Sequence, residues 1–445
     1  MIGAETAAQT KQSGRGDRAI PCFPEGENRM ERSDIVYQTY LEILRRELIS
    51  AMGCTEPVAL AYCAAVARAT LGTLPDRITV EASGNIIKNV KSVVVPNTGG
   101  QRGIAAAVCI GALAGDEHAG LEVLARVGKE DRDRLVSYMA GTPVEIKPLV
   151  SDNLLDMIVT AYHGSSSANV RIANEHTRIV RIEKDGRILQ ENDAGEEEET
   201  DGQPDYDLLT VEKIWDFACT CDPDDVRDIL DRQIEQNTAI AEEGLRKDYG
   251  ANIGKVLLTT GNDVRTRARA YAAAGSDARM NGSELPVVIC SGSGNQGLTA
   301  SLPVIVYAEE LHADREKLYR ALLISTLVTI HAKSGIGRLS AYCGAVSAGA
   351  GAGCGIAYLL GGNEGDIAHT IVNALAITSG IVCDGAKSSC AAKIATAVET
   401  GIFGFEMYKN GQQFYAGDGL VVKGVENSID NFSRLARIGM RGTDE

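Results

Sequence analysis

The sequence predicts an α+β fold: a predominantly helical domain into which a small α/β domain is inserted. Three observations lead there. The 445 residues exceed the ~100 to 200 of one typical domain, and 44% of them are apolar, enough for substantial cores. Aromatic residues make up only 5% while glycines number 48, which favours closely packed, small-faced helices over a core of large rings. β-Branched runs are confined to about Pro75–Pro204, with helical periodicity on either side.

Residues 1–30 are polar, rich in Gly, Ser and Lys, and lack periodicity, so they read as a disordered extension in which Cys22 has no role. From Arg32, the residues Ile35, Leu41, Leu44 and Leu48 recur at helical spacing as far as Gly53. Thr55 or Glu56 can cap a second helix, Pro57 suits its first turn, and apolar residues carry it to Leu71. Strands are expected at Arg77–Val80, Asn85–Val95, Val144–Val150, Leu155–Tyr162, Ala168–Ala173 and Arg178–Glu183. Helices at Gly103–Ala114 and Arg132–Met139 interrupt them, and Asp185-Gly186 offers a turn. The acidic stretch Glu191–Asp205 reads as a solvated linker.

Beyond Tyr206, amphipathic helices are expected at Val211–Phe217, Asp224–Arg246 and Asp263–Ala274, followed by Gly- and Ala-rich apolar helices to about residue 405. The helical domain is therefore 31–74 plus 206–445, and the inserted α/β domain with its acidic linker is 75–205. No internal repeat of solenoid period is present in the sequence.

The formal charge of -16 argues against nucleic acid and anionic membranes, which need clustered Lys and Arg, and favours a small-molecule partner. The sequence contains no apolar run of membrane-spanning length and no signal-peptide pattern, so a cytoplasmic protein is expected. There the eleven cysteines stay reduced and available as thiols or metal ligands.

Six cysteines stand where chemistry is conceivable: Cys54, Cys290, Cys343, Cys354, Cys383 and Cys390. None forms a C-x-x-C pair, which argues against a zinc ribbon or a ferredoxin-like cluster. Cys219 and Cys221 read as incidental thiols. On one straight helix Cys343 and Cys354 would lie ~16 Å apart, too far for joint ligation. Cys383 and Cys390 would be ~10 Å apart if the segment between them were helical, though Gly385 can break it. At most one of each pair is therefore expected at a common site. Cys54 stands at a helix N-terminus, whose partial positive charge favours a thiolate.

Four segments in order carry a resemblance: Gly53-Cys54-Thr55-Glu56-Pro57, Ser291-Gly292-Ser293-Gly294-Asn295-Gln296-Gly297, Gly337-Arg338-Leu339-Ser340-Ala341-Tyr342-Cys343-Gly344, and Cys383-Asp384-Gly385-Ala386-Lys387-Ser388-Ser389-Cys390-Ala391. Together they resemble the L-cysteine desulfidase family, a relative of the iron-sulfur L-serine dehydratases. The resemblance implies an oxygen-labile 4Fe-4S cluster on three cysteines, carried over to Cys54, Cys343 and Cys383. Cys354 and Cys390 are left as packing residues, with the choice between Cys383 and Cys390 the open one. It also implies a helical cluster-binding catalytic domain beside a small α/β domain. Some related dehydratases place a C-terminal cysteine on the fourth iron. This sequence ends Gly439-Met440-Arg441-Gly442-Thr443-Asp444-Glu445, so inhibition by a tail is not expected.

The implied activity is β-elimination from L-cysteine to give pyruvate, ammonia and hydrogen sulfide, with L-serine dehydration by the same mechanism as the alternative. Three protein thiolates leave one iron open as a Lewis acid. For the substrate carboxylate, Asn97-Thr98-Gly99-Gly100 offers an anion nest, and Ser291, Ser293 and Asn295 lie in a second glycine-rich turn. Lys387, Lys333 and Glu56 are the candidate bases, since burial can tune their proton affinity. His331, His163 and His176 read as ordinary histidines.

Two other readings compete. A pyridoxal-phosphate-dependent amino-acid lyase is prompted by Ser293-Gly294-Asn295-Gln296-Gly297, but the helices that follow lack the alternating strand-helix units that such a cofactor needs. A non-catalytic iron-sulfur redox sensor is the other. Glycine-rich apolar helices suit a subunit interface as well as a core, so a homo-oligomer, by default a dimer, is expected.

Overall fold

Tyr37, Tyr40, Leu41, Ile43 and Leu44 line the buried face of the first helix, α1 (Ile35–Glu47), in a computed structural model that describes residues 29–192, 204–337 and 339–443. The expected disordered extension up to residue 28, with Cys22, and residues 193–203 of the acidic linker lie outside the described residues. Helix α1 stops well before Gly53, because β1 (Ser50–Met52) pairs antiparallel with the distant strand Pro286–Val288. Helix α2 (Thr55–Leu71) ends where expected, but its N-cap is Cys54 and not Thr55 or Glu56, which lie in its first turn.

A six-stranded mixed sheet comes next, built from β2 (Arg77–Ala82), β3 (Val144–Pro148), β4 (Asp156–His163), β5 (Ser166–Ala173), β6 (Ile179–Lys184) and β7 (Arg187–Glu191). Its order is β3-β2-β4-β5-β6-β7, with β2 and β3 parallel and every other pair antiparallel. Alternate residues Ile78, Val80, Val159, Ala161, Val170 and Ile172 are buried, as a sheet with one covered face requires. Asp185 and Gly186, both at positive φ, make the tight turn that adds β7.

The expected strand over Asn85–Val95 is not one. Its first half is helix α3 (Gly84–Val90), and a turn follows. Ile86 and Val90 stand four apart and both are buried, so helical burial overrode the β-branched composition. Helices α4 (Gly103–Ala114) and α5 (Lys129–Gly141) complete this region. Helix α2 packs on α4 and on β4 and β5, so the second helix of the chain lies on the sheet layer.

The remainder is helical: α6 (Val211–Thr220), α7 (Pro223–Arg246), α8 (Ile253–Leu258), α9 (Val264–Met280), then the short strand β8 (Pro286–Val288) and α10 (Gly294–Glu310). After these come α11 (Arg315–Ser334), α12 (Ala345–Leu359), α13 (Glu364–Thr378), α14 (Cys390–Lys409) and α15 (Val425–Arg434). Helix α12 is central and touches α10, α11, α13 and α14. Here the small residues act: a Cβ on Gly353 would sit 2.4 Å from the Gly401 carbonyl oxygen, so these backbones meet at a distance only glycine permits. One continuous cluster of buried apolar side chains runs from the sheet layer into this bundle. Among the described residues no helix is long and apolar enough to cross a membrane.

Candidate active site

Four long helices begin at the wall of one cavity of about 110 Å³. Cys54 is the N-cap of α2, Ser293 that of α10, Gly344 that of α12, and Cys390 is the first residue of α14; all four line the space. Unpaired N–H groups and partial positive charge gather at such ends, which suits an anionic occupant.

Four thiols face this cavity: Cys54, Cys343, Cys383 and Cys390. An isolated antiparallel bridge pairs Tyr342 with Val382, so Cys343 stands opposite Ile381 and Cys383 opposite Ala341, diagonal to each other. Cys390 packs with Cys54, Val93, Met280 and Ala386. The helical spacing argument that separated Cys383 from Cys390 therefore fails, because residues 383–389 are not helical and Gly385, at φ +98°, turns the chain back. Cys390 is a wall of the cavity and not merely a packing residue. Cys354 is remote, buried inside α12 with its sulfur 3.7 Å from the Ile367 carbonyl oxygen. Cys290 is buried in the turn before α10 and does not line the cavity.

Burial pushes the Cys54 thiol well above its ordinary value, and the adjacent Glu56 carboxylate adds to this. The expectation of an acidic thiol at a helix N-terminus is thus corrected: desolvation of the buried sulfur outweighs the helix. Burial likewise pushes Cys343 up to about 12, with Cys383 contributing, and raises Cys390. Metal ligation would remove these protons outright.

Of the candidate bases, Glu56 and Lys333 line the cavity and both are buried. Glu56 accepts from Cys54 Sγ and Thr55 Oγ1 at 3.1 Å each, and from Asn89 Nδ2 at 3.0 Å. Burial acts to raise its carboxyl, but the His176 charge and the Cys54 hydrogen bond outweigh that and leave it lowered. Lys387 does not line the cavity. Its Nζ is drawn to the Asp384 carboxylate at 2.6 Å and to the carbonyl oxygens of Asp384 and Gly385.

The carboxylate loops divide the same way. Ser293 and Asn295 line the cavity, whereas Ser291 is buried beside it at φ +48°. Asn97, Thr98, Gly99 and Gly100 do not line it. Asn97 donates to the Leu124 carbonyl at 2.7 Å and Thr98 to that of Val95 at 2.6 Å, so these polar side chains tie down their own loop. Sequence reasoning missed Asn89, Arg279 and Gln296. Arg279 had one signal: a guanidinium at the end of an alanine-rich helix with no acidic residue one turn away on α9.

Among the described residues no three His, Cys, Asp or Glu side chains converge closely enough to hold a single metal ion. A multi-iron cluster spreads its thiolates over separate irons, so it asks for a ring of sulfurs around a space. Soft thiol donors and a cavity ringed by helix N-termini fit such a group.

Similarity to known proteins supports a serine dehydratase-like lyase. Residues 118–445 match the family described as serine dehydratase alpha chain, and the chain belongs to that family, whose members are typically iron-sulfur dependent. It is 56% identical to a UPF0597 protein of Desulfitobacterium hafniense, over 94% of this chain and 97% of that one. A UPF0597 protein of Lachnoclostridium phytofermentans is 52% identical, over 92% and 98%, and one of Bacteroides thetaiotaomicron 39%, over 91% and 95%.

Proposed function

We propose that this protein is an iron-sulfur lyase that removes the β-substituent of L-cysteine, releasing pyruvate, ammonia and hydrogen sulfide, with L-serine as the alternative substrate. The observation that carries the reading is the set of four thiols around one buried cavity that also holds the Glu56 carboxylate. Cys54, Cys343 and Cys383 would hold a 4Fe-4S cluster. When bound, such a group supplies an open Lewis-acid position for a departing thiolate or hydroxide.

Glu56 takes the Cα proton. Against its burial, the nearby His176 charge lowers its proton affinity and favours the ionised form, and Asn89 fixes its Oε1 side. With Cys54 serving as a ligand, Glu56 Oε2 would keep only the Thr55 hydrogen bond and could accept a proton. Lys333 is the second candidate for this role. Loss of the proton and the β-substituent yields aminoacrylate, which hydrolyses to pyruvate and ammonia. Burial of the cavity wall limits water at the reacting carbon.

The test is anaerobic turnover of L-cysteine and L-serine side by side, with pyruvate, sulfide and iron per chain measured together. Faster pyruvate formation from L-serine would move the substrate to serine. No pyruvate from either, on protein that retains iron and sulfide, would sink the lyase reading.

A further inference from the structure

Arg279 lies in the last turn of α9, is only 2% exposed, and lines the cavity. One amino group, Nη1, donates to Asn295 Oδ1 at 3.1 Å. Nε and Nη2 are buried and find no acceptor among the described residues. Those two nitrogens form one edge of the planar guanidinium, and their parallel N–H bonds match the two oxygens of a carboxylate. Elsewhere in this chain that match is made: Arg171 Nε and Nη2 donate to Asp156 Oδ1 and Oδ2 at 2.9 and 2.6 Å.

A buried donor left without a partner is costly, so an idle edge on a buried cation calls for an acceptor from outside the chain. Glu56 does not fill the role. Its charge and that of Arg279 feel each other, but its oxygens are bonded to Cys54, Thr55 and Asn89. Gly294 closes one side of the guanidinium. A Cβ on Gly294 would come within 2.3 Å of Arg279 Nε and 2.7 Å of Cζ, so the guanidinium rests against bare backbone there. Ser293 caps α10 without a side-chain hydrogen bond, leaving first-turn N–H groups of a 17-residue helix beside the cation.

We propose that Arg279, with the first turn of α10, binds the α-carboxylate of the substrate through a paired Nε and Nη2 contact. The ligand class is a small α-amino or α-keto acid. The identity of that ligand rests on the lyase reading, whereas the carboxylate-shaped edge does not. The role expected of Asn97–Gly100 moves accordingly to α9 and α10.

The experiment uses the full anaerobically purified protein as wild type, Arg279→Gln and Arg279→Lys. Pyruvate binding by calorimetry, KM and kcat for L-cysteine against L-cysteinamide, and iron per chain are read for each. Wild type is expected to bind pyruvate and to prefer the free acid over the amide. In Arg279→Gln, pyruvate affinity should fall at least ~10-fold, as for loss of a charged hydrogen-bond pair, and the acid-over-amide preference should collapse with iron unchanged. Arg279→Lys keeps the charge but not the fork, and should also bind more weakly than wild type. Should glutamine at this position prevent folding, the lysine variant alone decides: wild-type affinity there overturns the proposal. Unchanged pyruvate binding in Arg279→Gln overturns it too, as does loss of iron in that variant, which would assign Arg279 to the cluster. If pyruvate binding depends on Arg279 while no amino acid is turned over, the carboxylate site stands and the lyase reading falls.

Discussion

Cys343 and Cys383, forty positions apart in the sequence, are held at diagonal positions of one antiparallel backbone bridge. Cys383 N–H donates to the Ala341 carbonyl at 2.6 Å and Cys343 N–H to that of Ile381 at 3.2 Å, across the Tyr342–Val382 bridge. The two residues are thus fixed relative to each other by backbone, and preorganised ligands lose less entropy on binding.

Cys54→Ala, Cys343→Ala and Cys383→Ala are each expected to lose the cluster, because a removed thiolate ligand has no ready substitute. Cys354→Ala should keep iron and activity at a cost of ~1 to 3 kcal/mol in stability for the cavity it leaves. Cys390→Ala should also retain iron, although its sulfur lines the same space. Anaerobic iron and sulfide analysis of the five variants checks the set; iron loss in Cys390→Ala with retention in Cys383→Ala would exchange those two ligands.

Glu56→Gln should lower kcat by ~10² to 10⁴ while leaving iron content intact, as expected for removal of a general base. Lys333→Met should reduce kcat far less. The reverse ranking would transfer the proton to Lys333.

Gly385→Ala is expected to destabilise the protein by ~2 to 4 kcal/mol, combining left-handed strain with a collision. The added Cβ would sit 2.5 Å from the Lys88 carbonyl oxygen at φ +98°. Since this turn holds both Cys383 and Cys390 at the cavity, iron retention should fall with it. A melting temperature and iron content equal to wild type would show that the turn tolerates a side chain.

Burial raises the Asp277 carboxyl to about 6. A raised acid holds its proton more tightly in the folded state, so its contribution is full below the ordinary carboxylate range. It is lost as pH climbs through about 6. Asp277→Asn should therefore gain on wild type across that window, because the amide has no charge to desolvate. Urea denaturation at pH 4.5, 6 and 7.5 reads the difference; parallel curves for the two proteins would contradict it.

Much of the fold was legible locally. Helices α2 and α4 begin and end where apolar spacing and first-turn residues indicate, and five of the six expected strands form. The sixth failed because propensity is weak beside tertiary burial: Ile86 and Val90 bury on one helical face although they are β-branched. Strands β1 and β8 were illegible, since each is three residues long and its strand partner lies far away in the sequence.

The site divides along the same line. Sequence alone determined the α+β class, the thiols worth weighing, and the glycine-rich turn before α10, because these reside in residue type and short-range order. Only tertiary structure decided that Cys390 joins Cys383, that Lys387 and Asn97–Gly100 stand aside, and that Arg279 faces the cavity. In the sequence Arg279 is one more cation on a helix, and Cys390 is a helical step from Cys383. Their shared position depends on where four helix N-termini converge, which is set by long-range packing of backbones through glycine contacts and not by any local pattern.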